Sequence, residues 1–159
     1  MKLENSYALP ARPEAVWAAL NDPQVLSAAL PGCKSLVMLD ERHFESTIQL
    51  RVGPMAVTFQ GEVELADLVP SLSYTIIGRG NAGAVGFATL TARVTLEEQA
   101  DTTLLRYAAD VEIGGKLMSV GARLLESVAA KNLEAFFSAF AKQLDGTSVA
   151  AAVEVDPLQ

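Results

Sequence analysis

The stretch that decides the fold is GGKLMSVGARLLESVAAKNLEAFFSAFAKQL, residues 114–144. From Lys116 to Leu144 its apolar residues recur at helical spacing. Lys116, Ser119, Arg123, Glu126, Glu134, Ser138 and Lys142 form one stripe, and Met118, Gly121, Leu125, Val128, Ala129, Phe136 and Phe140 the opposite one. A helix of about thirty residues, rising about 1.5 Å per residue, is long enough to lie along a whole sheet. Each large side chain buried on its inner face stabilises the contact by about 1.5–3 kcal/mol before entropy is counted. Gly121 interrupts that face without a side chain, so it either lets a strand approach closely or leaves room for a guest.

The segments before this helix alternate with a period of two. Phe44, Ser46, Ile48, Leu50 and Val52 share one strand face, and Val57, Phe59, Gly61, Val63 and Leu65 the same face of the next, joined by the Gly53-Pro54 turn. Strands over 72–78, 87–97 and 102–113 follow, the last two joined by Gln99-Ala100-Asp101. Near the start, Leu3–Leu9 reads as a strand. Pro13 and Glu14 suit the first turn of a short helix through Leu20, and Pro23 opens a second short helix to about Ala29. Each strand has a single dry face, so the sheet is covered on one side only, and helices are the elements left to cover it. The reading is α+β: a curved antiparallel sheet of about seven strands wrapped around a long C-terminal helix, with two short helices between strands 1 and 2. A single domain is expected over 1–145 and a short disordered tail over 146–159.

Composition narrows the function classes. With 159 residues, 50% of them hydrophobic and 19% charged, the chain is long and apolar enough for one proper core. A net charge of −7, with 12 basic residues scattered among 19 acids, argues against nucleic acid and disfavours an anionic membrane surface. No signal peptide or membrane-spanning run is evident, and one cysteine allows no internal disulfide, so the expectation is cytoplasmic.

Few residues offer chemistry. Cys33 and His43 are single and unaccompanied, which favours structural or surface roles; no ligand set for a metal is evident, and no cofactor is expected. The glycine-rich run Gly78–Gly86 lacks a Gly-Lys-Ser/Thr ending and lies between strands, so it reads as a flexible hairpin loop gating the pocket instead of a phosphate cradle. Arg79 within it reads as a solvated turn residue. Among polar groups on strands, Asp110 falls on the wet parity, and Tyr74 and Tyr107 face the covered side.

Taken together, several motifs resemble a known family. They are Leu3-Glu4-Asn5-Ser6, Pro13-Glu14-Ala15-Val16-Trp17, Leu30-Pro31-Gly32-Cys33, Val52-Gly53-Pro54, the run Gly78–Gly86, and Gly114-Gly115-Lys116-Leu117 leading into Gly121-Ala122-Arg123-Leu124. The chain resembles the CoxG family, the G component of carbon monoxide dehydrogenase, within the START-like superfamily that includes polyketide cyclases and birch pollen allergens. The resemblance implies a helix-grip fold with a hydrophobic pocket. It also implies an accessory role beside a molybdenum-containing dehydrogenase, in contact with quinone, and peripheral placement at the inner membrane.

Two functions follow as expectations. The first is a non-enzymatic binding module with no catalytic residue, holding an apolar small molecule that is quinone- or lipid-like and assisting a molybdenum hydroxylase. The second is an enzyme of the cyclase, aromatase or dehydratase kind acting on an aromatic or polyketide-like substrate. Candidate pocket residues are Trp17 and Leu30 from the short helices, Ile48, Leu50, Phe59, Tyr74, Leu90 and Tyr107 from the sheet, and Met118, Gly121, Leu125 and Phe136 from the long helix. Oligomeric state is left open between monomer and homodimer.

Overall fold

The computed structural model describes the backbone of residues 1–153 and the side chains of residues 1–144. The chain runs β1 (Lys2–Leu9), α1 (Pro13–Leu20), α2 (Pro23–Ala29), β2 (Cys33–Asp40), β3 (His43–Val52), β4 (Met55–Val69), β5 (Ser73–Asn81), β6 (Phe87–Gln99), β7 (Thr102–Gly114) and α3 (Ala122–Val153). The seven strands form one antiparallel sheet in the order β1-β7-β6-β5-β4-β3-β2. Every neighbour except the β1–β7 pair is a hairpin partner in sequence, as expected where apolar-polar alternation is broken by short turns. The expected helix-grip α+β architecture is thus present, with all seven strands and both short helices in place.

Local chemistry explains the two short helices. Pro13 and Pro23 each occupy a first-turn position, where a missing N–H costs nothing, and the Asp22 carboxylate accepts the Gln24 amide at 2.9 Å. Just beyond β1, the buried Thr103 hydroxyl donates to the Ala11 carbonyl at 2.7 Å, tying the chain leaving β1 to β7.

The inner sheet face and α3 enclose two apolar clusters. The larger gathers Leu9, Val16, Leu20, Phe44, Leu65, Tyr74, Val94, Leu105, Phe137 and Phe140. The smaller, toward the β3–β4 turn, is built on Val52, Val57, Leu117 and Leu125.

The closing helix differs from its sequence reading in one respect. Residues Gly115–Val120 form a 3-10 turn, Gly121 ends it with φ of 94°, and the α-helix begins only at Ala122. A 3-10 turn advances about 120° per residue instead of about 100°, and the break at Gly121 resets the phase. Leu117 therefore points inward, 2% exposed, and Met118 outward, 57% exposed. Met118 and Gly121 therefore drop out of the inner stripe, which begins at Leu125 and runs on through Phe136 and Phe140. At its far end the helix path runs on to Val153, past the expected stop at Leu144; of the expected tail, residues 154–159 lie outside the described residues.

Candidate ligand-binding site

A cavity of about 360 Å³ lies between α3 and the inner face of the sheet. Its walls come from α1 and α2 (Leu20, Leu26), from Leu30 and Pro31 just after them, from β2 through β7, and from Asn132, Leu133, Phe136 and Phe137 on α3. The space arises because α3 meets the sheet at two places, the smaller cluster at its start and the Phe136–Phe140 region further on. Between them the curved strands stand away from it.

Of the twelve residues singled out from the sequence, Leu30, Ile48, Leu50, Tyr74, Leu90, Tyr107 and Phe136 line this cavity. Five do not. Trp17 is half-buried and backs the wall, its ring edge-on to Tyr74 with centroids 5.3 Å apart. Phe59 and Leu125 pack in the smaller cluster, Phe59 because the inner face of β4 passes from one cluster to the other along its length. Met118 is exposed, and a Cβ placed on Gly121 would find no atom within 4 Å.

Strand parity places Phe44, Ser46, Val63, Leu65, Val94 and Leu105 on the dry face, and all six join the lining. Asn132 and Leu133 share the helical phase of Leu125, Ala129 and Phe136 and belong to the same wall, although neither is among the twelve. Asn132 also looks polar in sequence, yet its amide donates to the Val128 carbonyl at 2.8 Å and so satisfies itself along the helix.

The surface facing the cavity is almost wholly hydrocarbon. Ser46, Tyr74, Tyr107 and Asn132 are the polar residues in the lining, and no Asp, Glu, Lys, Arg, His or Cys takes part among the described residues. Burial pushes the Tyr74 phenol well above its ordinary range; burial, then the neighbouring Tyr7, raises Tyr107. Both rings are therefore neutral at physiological pH. Tyr107 is further held in a stack: Phe137 lies 4.6 Å from Tyr7 and 5.5 Å from Tyr107, rings nearly parallel, which joins β1, α3 and β7. Asp110 is exposed and meets Lys2 at 3.4 Å, outside the cavity.

The other residues weighed from sequence lie elsewhere. Cys33 is half-buried, its Sγ 3.8 Å from the Ser27 Oγ and 3.4 Å from the Ser35 carbonyl. His43 Nδ1 stands 2.9 Å from Asp40 Oδ1 at an exposed turn. A backbone hydrogen bond from Arg42, then the His43 ring, lowers the Asp40 carboxyl below its usual value. Among the described residues no group of three or more His, Cys, Asp or Glu is placed to hold a metal. Two depressions of about 250 and 350 Å³ on the opposite sheet face are open and bordered by Glu45 and Glu62. The loop that ends the glycine-rich run contributes nothing to the lining. Its Gly86 packs on Gly114 and Gly115, so the loop is braced against the 3-10 turn and does not gate the cavity.

Residues 6–145 match the family model of the carbon monoxide dehydrogenase G component, CoxG. The chain belongs to the CoxG family. Among solved structures, it is similar to a conserved protein from Geobacillus kaustophilus, at 28% identity and TM-score 0.86 over 92% of this chain and 97% of that one. It is also similar to the Zhui aromatase/cyclase of Streptomyces sp. R1128, at 16% identity and TM-score 0.71 over 95% and 97%. A START superfamily protein from Mycobacterium smegmatis matches at 14% identity and TM-score 0.70 over 92% and 98%. The last two show the START-like fold. A search of curated proteins finds no match. In this CoxG-family chain the Leu30-Pro31 pair of the motif lines the cavity, and the Gly114-Gly115 pair anchors the turn that precedes α3. No helix among its described residues is long and apolar enough to cross a membrane.

Proposed function

We propose that the protein is a non-enzymatic accessory module that encloses an apolar small molecule, quinone- or lipid-like, and assists a molybdenum-containing dehydrogenase. The single observation that carries this is the hydrocarbon surface of the 360 Å³ cavity, bare of ionisable groups apart from two neutral phenols. Such a site binds by removing apolar surface from water, about 0.8 kcal/mol per methylene, and its volume is within the ordinary range for small-molecule pockets. Among the described residues no carboxylate, imidazole, amine or thiol lines it, which leaves the two phenols as its titratable groups. Membership of the CoxG family supports the dehydrogenase as the partner.

Native mass spectrometry of purified protein, with thermal melts in the presence of quinone analogues and fatty acids, tests the reading. A released apolar molecule and a raised Tm support it; no bound molecule and no shift with either probe class sinks it. The two phenols are the one feature that favours a cyclase-like enzyme, and turnover of an aromatic polyketide-like substrate that disappears in Tyr107→Phe would replace the carrier reading.

A further inference from the structure

The two edges of the sheet differ in character. At one edge β2 pairs with β3, and among the described residues no strand pairs with its other side. Three consecutive residues of β2, Val37, Met38 and Leu39, are 53%, 39% and 56% exposed. The opposite edge, β1, exposes the polar residues Lys2, Glu4, Asn5 and Ser6 instead. Open N–H and C=O groups beside exposed aliphatic side chains form a template for another strand unless proline, charge or distortion blunts them. β2 has no proline, and its two charged residues, Lys34 and Asp40, stand near its ends.

The strand is distorted, with one residue more than β3 at Lys34 and again at Leu39. A bulge ordinarily turns an edge away from a partner. The spacing of these two removes that obstacle for one partner, a second copy of the same strand. In an antiparallel pair about a two-fold axis at Val37, Lys34 of one copy stands opposite Asp40 of the other, and Ser35 opposite Leu39. Irregular segment then meets irregular segment, and the residue count stays matched across the pair.

The side chains match as well. Leu36 lines the cavity and Met38 pairs in register with the buried Phe44, so both belong to the helix-covered face, where each Leu36 would meet a Met38. Val37 lies on the other face, beside Glu45, and would meet its own copy. Facing residues of an antiparallel pair share a sheet side, so the axis must pass at a residue position. An axis at Leu36 would set Lys34 against Met38, and one at Met38 would set Lys34 against Arg42. Among the described residues Lys34 has no carboxylate within 4 Å in the single chain, and the exposed Asp40 meets His43 alone.

We infer that β2 is the docking edge for a second copy of this chain, the two β2 strands pairing antiparallel about Val37 with Lys34 and Asp40 facing each other at both ends. The sheet then continues from one copy into the next, with both helix-covered faces on the same side. Contact between β2 of one copy and β1 of another would not close and would build chains of copies. The inference is independent of what the cavity holds.

Sedimentation equilibrium of the full chain from micromolar to submillimolar concentration is the test, with a monomer–dimer equilibrium and no larger species expected. Lys34→Asp and Asp40→Lys should each weaken dimerisation at least about fivefold, because each sets like charges opposite one another twice. Mixing the two variants should restore it, since every reversed residue then faces its opposite. Thermal melts report whether the variants fold. A second measurement does not depend on the charge reversals: with Cys33→Ser in place, Val37→Cys should give a disulfide dimer on mild oxidation, because opposite Cα atoms lie about 4.5–5.5 Å apart. Leu39→Cys in the same background should not, its two copies standing four residues out of register. A monomer at every concentration, oligomers that grow beyond the dimer, a mixture that fails to associate, or equal cross-linking at the two cysteine positions overturns the proposal.

Discussion

Trp17 on α1 meets Tyr74 on β5 edge-on, ring centroids 5.3 Å apart and planes at 74°. Tyr74 in turn forms part of the cavity wall, so the indole is the outer brace of that wall. Truncating it removes an aromatic pair and leaves a void beside the ligand space. Trp17→Ala should lower stability by about 2–4 kcal/mol in chemical denaturation. A change below about 0.5 kcal/mol would show that α1 does not support the wall.

Ala92 and Ala109 are buried members of the lining, on the neighbouring strands β6 and β7 and directly opposite each other in register. Enlarging one should occupy ligand space without displacing a packed neighbour. For Ala92→Leu we expect stability within about 1.5 kcal/mol of the parent and loss of the quinone-analogue melting shift. A retained shift would place the ligand outside this cavity.

The raised Tyr74 phenol links stability to alkaline pH. Its pKa in the folded chain lies above the unfolded value of 10.0, so the folded state holds its proton more tightly. The stabilisation is fully present below the unfolded value and drains away as pH rises from there toward the folded one. Denaturation midpoints should therefore fall above about pH 10, and Tyr74→Phe should flatten that decline relative to the parent. Identical alkaline profiles would assign the loss to other groups.

Two glycines flanking the 3-10 turn separate strain from collision. Gly121, φ 94°, has open space around it, so Gly121→Ala should cost about 1 kcal/mol through backbone strain alone and leave probe uptake intact. At Gly115, φ 79°, a Cβ would also stand 2.6 Å from the Gly86 Cα, and Gly115→Ala should cost more than the first variant. Thermal melts of the pair check the ordering, and equal losses would refute it.

The elements are readable because each follows a strong local rule: alternation on β3 and β4, prolines opening α1 and α2, polar turns between the later strands. The cavity walls contributed by strands are readable for the same reason, as Ile48, Leu50 and Leu90 illustrate. The helix wall is only half readable. One period drawn from Lys116 puts Met118 and Gly121 inside, whereas the 3-10 turn and the glycine break take both off the inner face; Asn132 and Leu133 do keep the phase of Leu125 and Phe136, and the polar amide hides the place of Asn132 in the wall. Phe59 and Leu125 face inward as expected, but a periodic pattern says which face is dry and not which of two clusters a residue joins.

The strand order leaves one pairing out of sequence with the rest. β2 to β7 are successive hairpins, each able to zip onto its predecessor as the chain lengthens, while Lys2–Leu9 must wait for residues 103–110 before any of its ladder bonds form. On an emerging chain the first strand made is thus the last to be seated. Phe137 lies further along the chain still, on α3, so Tyr7 and Tyr107 stand side by side on β1 and β7 before it is made, and it is the arriving helix that completes the aromatic contact beside the cavity.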